Sequence, residues 1–231
     1  MFSENTGLKA QIGYSLTSAN PLNQIYYGNN FQWENDFAKN GIASANVEFF
    51  MEKYFLAVGA DMNLLHNYII YGYDAKPKQI NSANIVVDVY ANKTFNFWKF
   101  HWFNEVAYQY IKDKEYVCLP DVVAYSSLFF KTDMFNKALA LQIGLDAKFT
   151  SNYYGYAYMP ATGVFYIQNE KKFGCYPNLG VYVGAKIKRF RVFGKLSNYN
   201  SSFMQPRFYS LHRIPENPMA FNFGISWEFY D

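Results

Sequence analysis

The sequence predicts an all-β protein in which antiparallel strands form a transmembrane β-barrel. Apolar and polar residues alternate over most of the chain, as in strands with one face in an apolar phase and the other in water. The 231 residues include 22 Tyr and 23 Phe, more than an ordinary core requires. Mean hydropathy is nevertheless −0.21. No apolar run reaches the ~20 residues of a membrane-spanning helix. Membrane strands with aromatic girdles explain these observations together.

The alternation recurs along the chain and predicts about eleven strands. The regular segments are 8–17, 24–34, 43–50, 56–63, 84–92, 139–149, 181–188 and 221–230. Less regular segments cover 97–111 and 121–131, and a further strand follows the turn at 188–189. Most of these segments approach the roughly 9–11 residues that a tilted membrane strand needs. The last one carries aromatic residues almost to the end of the chain, as expected for the final strand of an outer-membrane barrel.

The predicted connections alternate in length. Short connections lie at 52–53, 93–96, 132–137 and 188–189, and long ones lie at 66–79, 112–120, 150–175 and 200–218. Bacterial outer-membrane barrels have short periplasmic turns and long extracellular loops, so the alternation predicts an orientation. Only the connection at 38–40, which would be an outer loop, is too short for this scheme.

Strand number and the N-terminus together predict a partial barrel. Eleven strands with a periplasmic C-terminus place the N-terminus outside, whereas bacterial barrels usually have an even strand number. Residues 1–5 lack the basic start and apolar stretch of a signal peptide. We therefore expect one transmembrane barrel domain over residues 1–231, with N-terminal strands and the signal peptide missing.

Three segments resemble the β-barrel porin family of Bacteroidetes outer membranes. They are Tyr158-Met-Pro-Ala-Thr-Gly-Val-Phe-Tyr-Ile-Gln-Asn-Glu170, Gly184-Ala-Lys-Ile-Lys-Arg189 and Phe223-Gly-Ile-Ser-Trp-Glu-Phe-Tyr-Asp231. The resemblance runs over most of the chain and corresponds to the C-terminal portion of that family. It implies a porin-like barrel in a longer protein with an N-terminal signal, and it says less about which solute passes.

Charged residues opposite the predicted lipid face are candidates for lining a water-filled lumen. Charges are expensive in a dry core and natural in such a lumen. The candidate pore-lining residues are Glu34, Glu48, Asp61, Asp88, Asp146, Lys148, Lys186, Lys188, Arg191 and Lys195. Of these candidates, Lys186, Lys188, Arg191 and Lys195 lie on one predicted hairpin. They could favour anions, pair with lumen acids or lie at the periplasmic rim.

Aromatic residues are concentrated in the longest predicted loop. Tyr154, Tyr156, Tyr158 and Phe165 are candidates for a constriction or for stacking on a sugar or other planar ligand. The alternative is that they belong to the outer aromatic belt. Gly155, Pro160 and Gly163 favour a series of turns in this loop.

The remaining residue types give weak signals. Cys118 and Cys175 fall in loops on the same side, where a disulfide is possible, but sequence gives no distance between them. His66, His101 and His212 are the only histidines, and neither a catalytic signature nor metal-ligand spacing accompanies them. We expect no enzyme activity, no cofactor and no metal. A net charge of +3 is too small to indicate nucleic acid as a partner.

The sequence thus predicts an outer-membrane channel for passive diffusion of small hydrophilic solutes through a polar lumen. The expected partners are outer-membrane lipid and these solutes, with homo-oligomers possible. One alternative is an outer-membrane barrel that acts in binding, secretion or assembly. A second alternative is a soluble β-rich protein with an aromatic ligand cavity.

Overall fold

A computed structural model of the chain describes residues 6–204 and 209–229, which form strands joined by turns and loops. The strands are β1 (Thr6–Thr17), β2 (Ile25–Tyr27), β3 (Gln32–Glu34), β4 (Asn40–Met51), β5 (Leu56–His66), β6 (Tyr68–Tyr71), β7 (Pro77–Ile80), β8 (Asn84–Phe97), β9 (Phe100–Ile111), β10 (Val122–Met134), β11 (Leu139–Thr150), β12 (Tyr153–Tyr154), β13 (Ala157–Met159), β14 (Val164–Tyr166), β15 (Lys172–Phe173), β16 (Asn178–Ile187), β17 (Phe190–Ser197), β18 (Tyr209–Leu211), β19 (Ile214–Pro215) and β20 (Ala220–Trp227). One α-helix, Pro21–Gln24, and two 3-10 helices, Glu52–Tyr54 and Tyr199–Ser202, complete the elements. No helix in the described ranges is long and apolar enough to cross a membrane.

Ten long strands form one sheet in which each strand pairs with the next long strand along the chain. The order is β1-β4-β5-β8-β9-β10-β11-β16-β17-β20. All nine pairings are antiparallel and keep a continuous register. Because side chains alternate across a strand, this register places every second residue of all ten strands on the same face.

The two faces of this sheet differ sharply in chemistry. On the apolar face Ile12 lies opposite Ala45, and Ala45 lies opposite Met62. The far edge of this face carries Phe221, Phe223, Ile225 and Trp227, each more than half exposed. The opposite face, which we call the polar face, carries charged and amide side chains between glycines and aromatic rings. The expected all-β antiparallel fold is therefore confirmed.

One predicted strand is wrong. Residues 24–34 form two three-residue strands, β2 and β3, which pair with each other. The Gly28-Asn29-Asn30 turn divides the alternating segment, and Pro21 begins the helix that precedes it. The described residues thus contribute ten long strands rather than about eleven, so both ends of the sheet lie on the same side. β1 therefore begins on the side where β20 ends, and not on the opposite side as the odd strand number predicted.

With residues 24–34 placed in a loop, long and short connections alternate between all ten long strands. Short turns at 52–55, 98–99, 135–138 and 188–189 (turns 1 to 4) lie at one end of the sheet. Long connections at 18–39, 67–83, 112–121, 151–177 and 198–219 (loops 1 to 5) lie at the other end. Residues 205–208 of loop 5 are outside the described residues. Residues 38 and 39 of the segment predicted as a short outer loop are the end of loop 1, and Asn40 begins β4.

The sheet of the described residues is open and does not close into a barrel. Strands β1 and β20 are its two edges, and the described residues of one do not pair with those of the other. Each edge strand therefore has a row of backbone groups without a strand partner. Such edges are unfavourable in lipid, where backbone groups find no water.

Most of the buried apolar residues in the described parts of the chain lie in the loops. Eight apolar residues are buried among those that the structure describes, and six of them belong to loops, namely Trp33, Ala75, Cys118, Ala157, Ile167 and Phe173. The other two, Val86 and Ile111, lie near the loop ends of β8 and β9. The five loops thus pack into a layer with its own core, which we call the loop layer.

Candidate functional site

The polar face brings together eight of the ten predicted lining residues. The register of the strand pairs assigns these residues to the face. Cross-strand partners share a face, and so do residues of one strand that are an even number of positions apart. The eight are Glu48, Asp61, Asp88, Asp146, Lys148, Lys186, Arg191 and Lys195. Side-chain contacts across the sheet agree with this placement.

Two predicted lining residues lie elsewhere. Glu34 is in β3, within loop 1, where it is exposed and accepts a hydrogen bond from the Tyr27 hydroxyl at 3.1 Å. The nearby glutamate raises the pKa of Tyr27 above its ordinary value, because it stabilises the protonated hydroxyl. Lys188 lies in turn 4 with a positive φ of 52°. The alternation that suggested both positions continues into a loop hairpin in one case and a turn in the other.

Acidic side chains are concentrated on the first half of the polar face. Glu48, Asp61, Asp88 and Glu105 occupy the consecutive strands β4, β5, β8 and β9. Glu48 accepts hydrogen bonds from Lys9 and Tyr90, each at 3.1 Å. Asp61 and Asp88 lie directly opposite each other. Two carboxylates in this arrangement repel each other, and an aqueous solvent between them would screen that repulsion.

Basic side chains are concentrated on the second half of the polar face. Lys131, Lys148, Lys186, Arg191 and Lys195 lie on strands β10, β11, β16 and β17. Lys186 and Arg191 are direct cross-strand partners. Two of these basic side chains form ion pairs with acidic residues. Lys195 pairs with Asp146, and the Arg191 guanidinium lies 3.8 Å from the Glu228 carboxylate. The pairing expected as one alternative for the basic hairpin is thus observed for Lys195 and Arg191.

Several residues of the polar face were missed by sequence reasoning. Tyr90 and Tyr182 lie across Gly59 and Gly144, and a Cβ at either glycine would come within 2.5 Å of the tyrosine ring. The rings therefore cover the sheet at positions where their cross-strand partners have no side chain. The Tyr182 hydroxyl also lies 3.1 Å from Ser127 Oγ and accepts from Gln142 at 3.3 Å. Gly59 and Gly144, which interrupt the polar positions of their strands, were the sequence signal for these covering rings.

Part of loop 5 folds over the loop end of the polar face. Asn198 donates to the Asn217 carbonyl at 2.9 Å, and Asn178 donates to Glu216 at 3.5 Å. This segment lines one side of a cavity of about 380 Å³ whose lining also includes Asp146, Lys148 and Lys195. Loop 5 therefore narrows the space above the charged strands.

The predicted loop aromatics do not form one group. Tyr154 lines a cavity of about 390 Å³ between loops 2, 3 and 4, with the Lys172 ammonium 5.1 Å from its ring centroid. The Tyr156 hydroxyl accepts from the Cys118 backbone at 3.4 Å, and burial raises the pKa of Tyr156. Tyr158 and Phe165 face each other across β13 and β14, with ring centroids 5.3 Å apart and both side chains exposed.

The thiols and imidazoles are separate from one another. Cys118 is buried and Cys175 is exposed, and neither forms a disulfide. His101 lies beside turn 2, with Nδ1 2.5 Å from Asn96 Oδ1, whereas His212 Nε2 lies 3.1 Å from Glu170 in the loop layer. In the described parts of the chain, no three His, Cys, Asp or Glu side chains could hold a metal ion together.

A search of the solved structures finds a similar fold in a siderophore receptor. The siderophore receptor PirA from Acinetobacter baumannii matches with a TM-score of 0.62 and 12% sequence identity. The match covers 99% of this chain and 40% of that receptor, so this chain spans well under half of its length. The likeness shows the fold alone. No curated protein matches the sequence.

A comparison with protein-family models is more specific. The model described as "Putative porin" matches residues 1–231, the entire sequence. The match agrees with the porin resemblance of the three segments and with the polar face described above. The chain therefore belongs to the putative porin family.

Proposed function

We propose that the polar face lines a water-filled channel for passive diffusion of small hydrophilic solutes across a bacterial outer membrane. One observation carries this proposal: charged residues occupy one face of strands whose other face exposes aliphatic and aromatic side chains. A charged face is stable in water and an apolar face is stable in lipid. A strand layer between lipid and a lumen supplies both environments.

The distribution of aromatic residues supports the membrane setting. On the apolar face, Phe97, Phe100 and Trp102 lie near the turns, and Tyr14, Tyr108 and Tyr110 lie near the loops. Two aromatic belts that bracket an aliphatic band are typical of barrels at the two membrane interfaces. In this orientation the turns face the periplasm and the loop layer faces the outside.

We further propose that the open sheet is an arc of a larger barrel. Pairing of β1 and β20 with additional strands would satisfy their edge groups. The match to 40% of a longer receptor chain supports this arrangement. β1 begins and β20 ends on the turn side, so these two edge strands run in opposite directions. An even number of added strands between them would close an antiparallel barrel.

Selectivity in this channel would come from the loops and from the separated charges. Loop 5 restricts the size of solutes that reach the strands. The acidic and basic halves of the polar face would create a field across the lumen. Small cations would pass along the acidic half and small anions along the basic half, which gives weak charge filtering.

Conductance in planar bilayers tests this proposal. The full-length protein, folded into lipid, should give stable openings whose current is proportional to voltage. Asp61→Asn with Asp88→Asn should lower the preference for K⁺, and Lys186→Gln with Arg191→Gln should lower the preference for Cl⁻, both measured as reversal potentials in a KCl gradient. Glu34→Gln is the matched control, because Glu34 lies off the polar face. A folded protein without conductance would contradict the proposal.

A binding or assembly role is the second candidate. The observation that favours it is the extent of the loop layer, in which loops 2, 3 and 4 enclose the cavity of about 390 Å³ lined by Tyr73, Tyr153 and Tyr154. Rings and polar groups in one cavity suit ligand capture. Tyr154→Ala or deletion of β13 and β14 would abolish binding of a surface ligand but leave conductance intact if this role is the main one.

A further inference from the structure

All four short turns carry basic residues, and three of them also carry exposed aromatic residues. Turn 1 carries Lys53, Tyr54 and Phe55, and turn 2 carries Trp98 and Lys99. The exposed fraction is 80% for Trp98, 58% for Phe55 and 53% for Tyr54. Turn 3 carries Phe135, 73% exposed, with Lys137, and turn 4 is Lys188-Arg189, followed by Phe190. We call these residues the turn rim.

Lysine ammonium groups lie against the rings of this rim. Lys99 Nζ is 5.4 Å from the Trp98 ring centroid and 5.9 Å from that of Phe130. Lys93 belongs to the apolar face, and its Nζ lies 5.8 Å from the Tyr54 ring centroid and 5.5 Å from that of Phe95. The same ammonium group donates to the Tyr54 carbonyl. Its charge is thus held at the level of the turns and out of the apolar band.

The backbone of the two-residue turns points to a role for their side chains. Trp98 and Lys188 have φ values of 56° and 52°, in the left-handed region that favours glycine. The first position of such hairpin turns commonly holds glycine, asparagine or aspartate. A large aromatic and a basic side chain occupy these positions despite the backbone strain, as is common where a side chain has a function.

The charge of the rim is almost entirely positive. Lys53, Lys99, Lys137, Lys188 and Arg189 lie in the four turns, where Glu52 is the single acid. Asp133 and Glu228 are nearby in sequence, and Glu228 lies 3.8 Å from Arg191 on the neighbouring strand. In the described part of the chain, no ion pair involves the five basic residues of the turns, so the rim presents aromatic rings and several cations at one membrane interface.

We propose that the turn rim is a binding surface for anionic phospholipid headgroups of the adjacent leaflet. The rings would lie at the headgroup level, as interfacial aromatic residues do. The ammonium and guanidinium groups would bind lipid phosphates, and an anionic lipid leaves its phosphate charge uncompensated. This inference rests on the proposed membrane setting, and it adds a preference among lipids that an aromatic belt alone does not provide.

Quenching of Trp98 fluorescence by brominated lipids tests the inference. The full-length protein would keep Trp98 and replace Trp33, Trp102 and Trp227 by Phe, together with any other Trp. It would be folded into vesicles that contain brominated phosphatidylglycerol or brominated phosphatidylcholine at graded fractions. Anionic lipid should be enriched beside Trp98, with a relative affinity roughly three- to tenfold above that of phosphatidylcholine.

Two triple variants separate the rim from general charge. Lys53→Gln, Lys99→Gln and Lys137→Gln together should bring the relative affinity close to one. The matched control replaces Lys39, Lys76 and Lys112, which are exposed in the loops, and should leave the preference unchanged. Equal quenching by both lipids in the unaltered rim would overturn the inference. Absence of quenching by either lipid would instead contradict the proposed membrane setting.

Discussion

At Gly144 the ring of Tyr182 occupies the space that a side chain would fill. A Cβ there would lie 2.5 Å from the ring and 2.8 Å from the Phe129 Cβ. Gly184 is on the same face, yet a Cβ added to it would have no neighbour within 4 Å. Two glycines of one face therefore differ in role, and only the first is required by packing.

Gly144→Ala is expected to lower the free energy of unfolding by about 1–3 kcal/mol, the usual cost of overpacking. Tyr182 would have to move, and its contacts with Ser127 and Gln142 would weaken. Urea unfolding of the lipid-folded protein, followed by tryptophan fluorescence, measures the change. Gly184→Ala is the control and should change stability by less than about 0.5 kcal/mol. An equal loss in both variants would contradict the packing argument.

The ion pair between Asp146 and Lys195 should stabilise the fold more than other pairs of this face. The Asp146 side chain is 9% exposed and that of Lys195 is 38% exposed. Asp146→Asn would leave the ammonium without its partner and should cost about 1–3 kcal/mol. Lys9→Gln removes a pair in which the lysine is 67% exposed. It should cost under ~1 kcal/mol in the same unfolding assay. A larger effect at Lys9 would contradict this ranking.

At the scale of elements, the loops show more internal order than their sequence suggests. Gln168 donates to the Gly155 and Lys171 carbonyls, each at 2.7 Å, and accepts from two backbone amides of its own loop. Ile167 donates to the Tyr71 carbonyl at 3.0 Å, which connects loop 4 to loop 2. Loops joined in this way should open together.

The reactivity of Cys118 reports on opening of the loop layer. Burial raises the pKa of this thiol from 9.0 to about 11. At pH 8 to 10, iodoacetamide should label the exposed Cys175 at least ~10-fold faster than Cys118, as measured by peptide mass spectrometry. Equal rates would mean that the loop layer is open.

The same thiol predicts a pH dependence. The unfolded chain releases the Cys118 proton near pH 9, and the folded protein retains it to about pH 11. The contribution of this group to stability is therefore complete below pH 9 and is lost as pH rises towards 11. Cys118→Ser would remove most of that loss, which unfolding measured at pH 8, 9 and 10 would detect.

Asn198 tests whether loop 5 narrows the proposed channel. Its side chain is 2% exposed and donates to the Asn217 carbonyl, and it also lies 3.1 Å from the Tyr176 hydroxyl. Asn198→Gly keeps the left-handed backbone, φ 53°, but removes these bonds. Released from the polar face, loop 5 should let single-channel conductance rise. An unchanged conductance would mean that this segment does not limit the flow of ions.

The strands were predictable from sequence, and the loops were not. Alternation is a local property, so residues 139–149 and 181–188 indicated their strands and their faces directly. Residues 24–34 alternate equally well, but a turn at Gly28 and packing of Trp33 against Tyr26 and Tyr71 decide their structure. The buried Asn84 and Asn200 depend on partners 20 or more residues away, Asp113 for one and Leu179 for the other. Sequence alone does not identify such partners.

At the scale of the whole molecule, the open sheet gives a sharp prediction for the full-length protein. If β1 pairs with another strand, the backbone amides on its open edge, the side away from β4, should exchange with deuterium as slowly as those of β5 and β8. Mass spectrometry of peptides from residues 7–16 and 57–65, in lipid, compares the edge with the interior. Rapid exchange confined to β1 would contradict closure of the sheet into a larger barrel.

The concentration of buried apolar residues in the loops has a consequence for biogenesis. In the proposed orientation, loops 1, 2 and 4 must pass through the membrane before Trp33 can pack against Tyr71 and Ile167 can donate to the Tyr71 carbonyl. Their core can therefore form only after the strands have crossed, as the last step of assembly. Withdrawal of a strand would first require that core to be broken, so the loop layer would act as a latch that slows the reverse reaction.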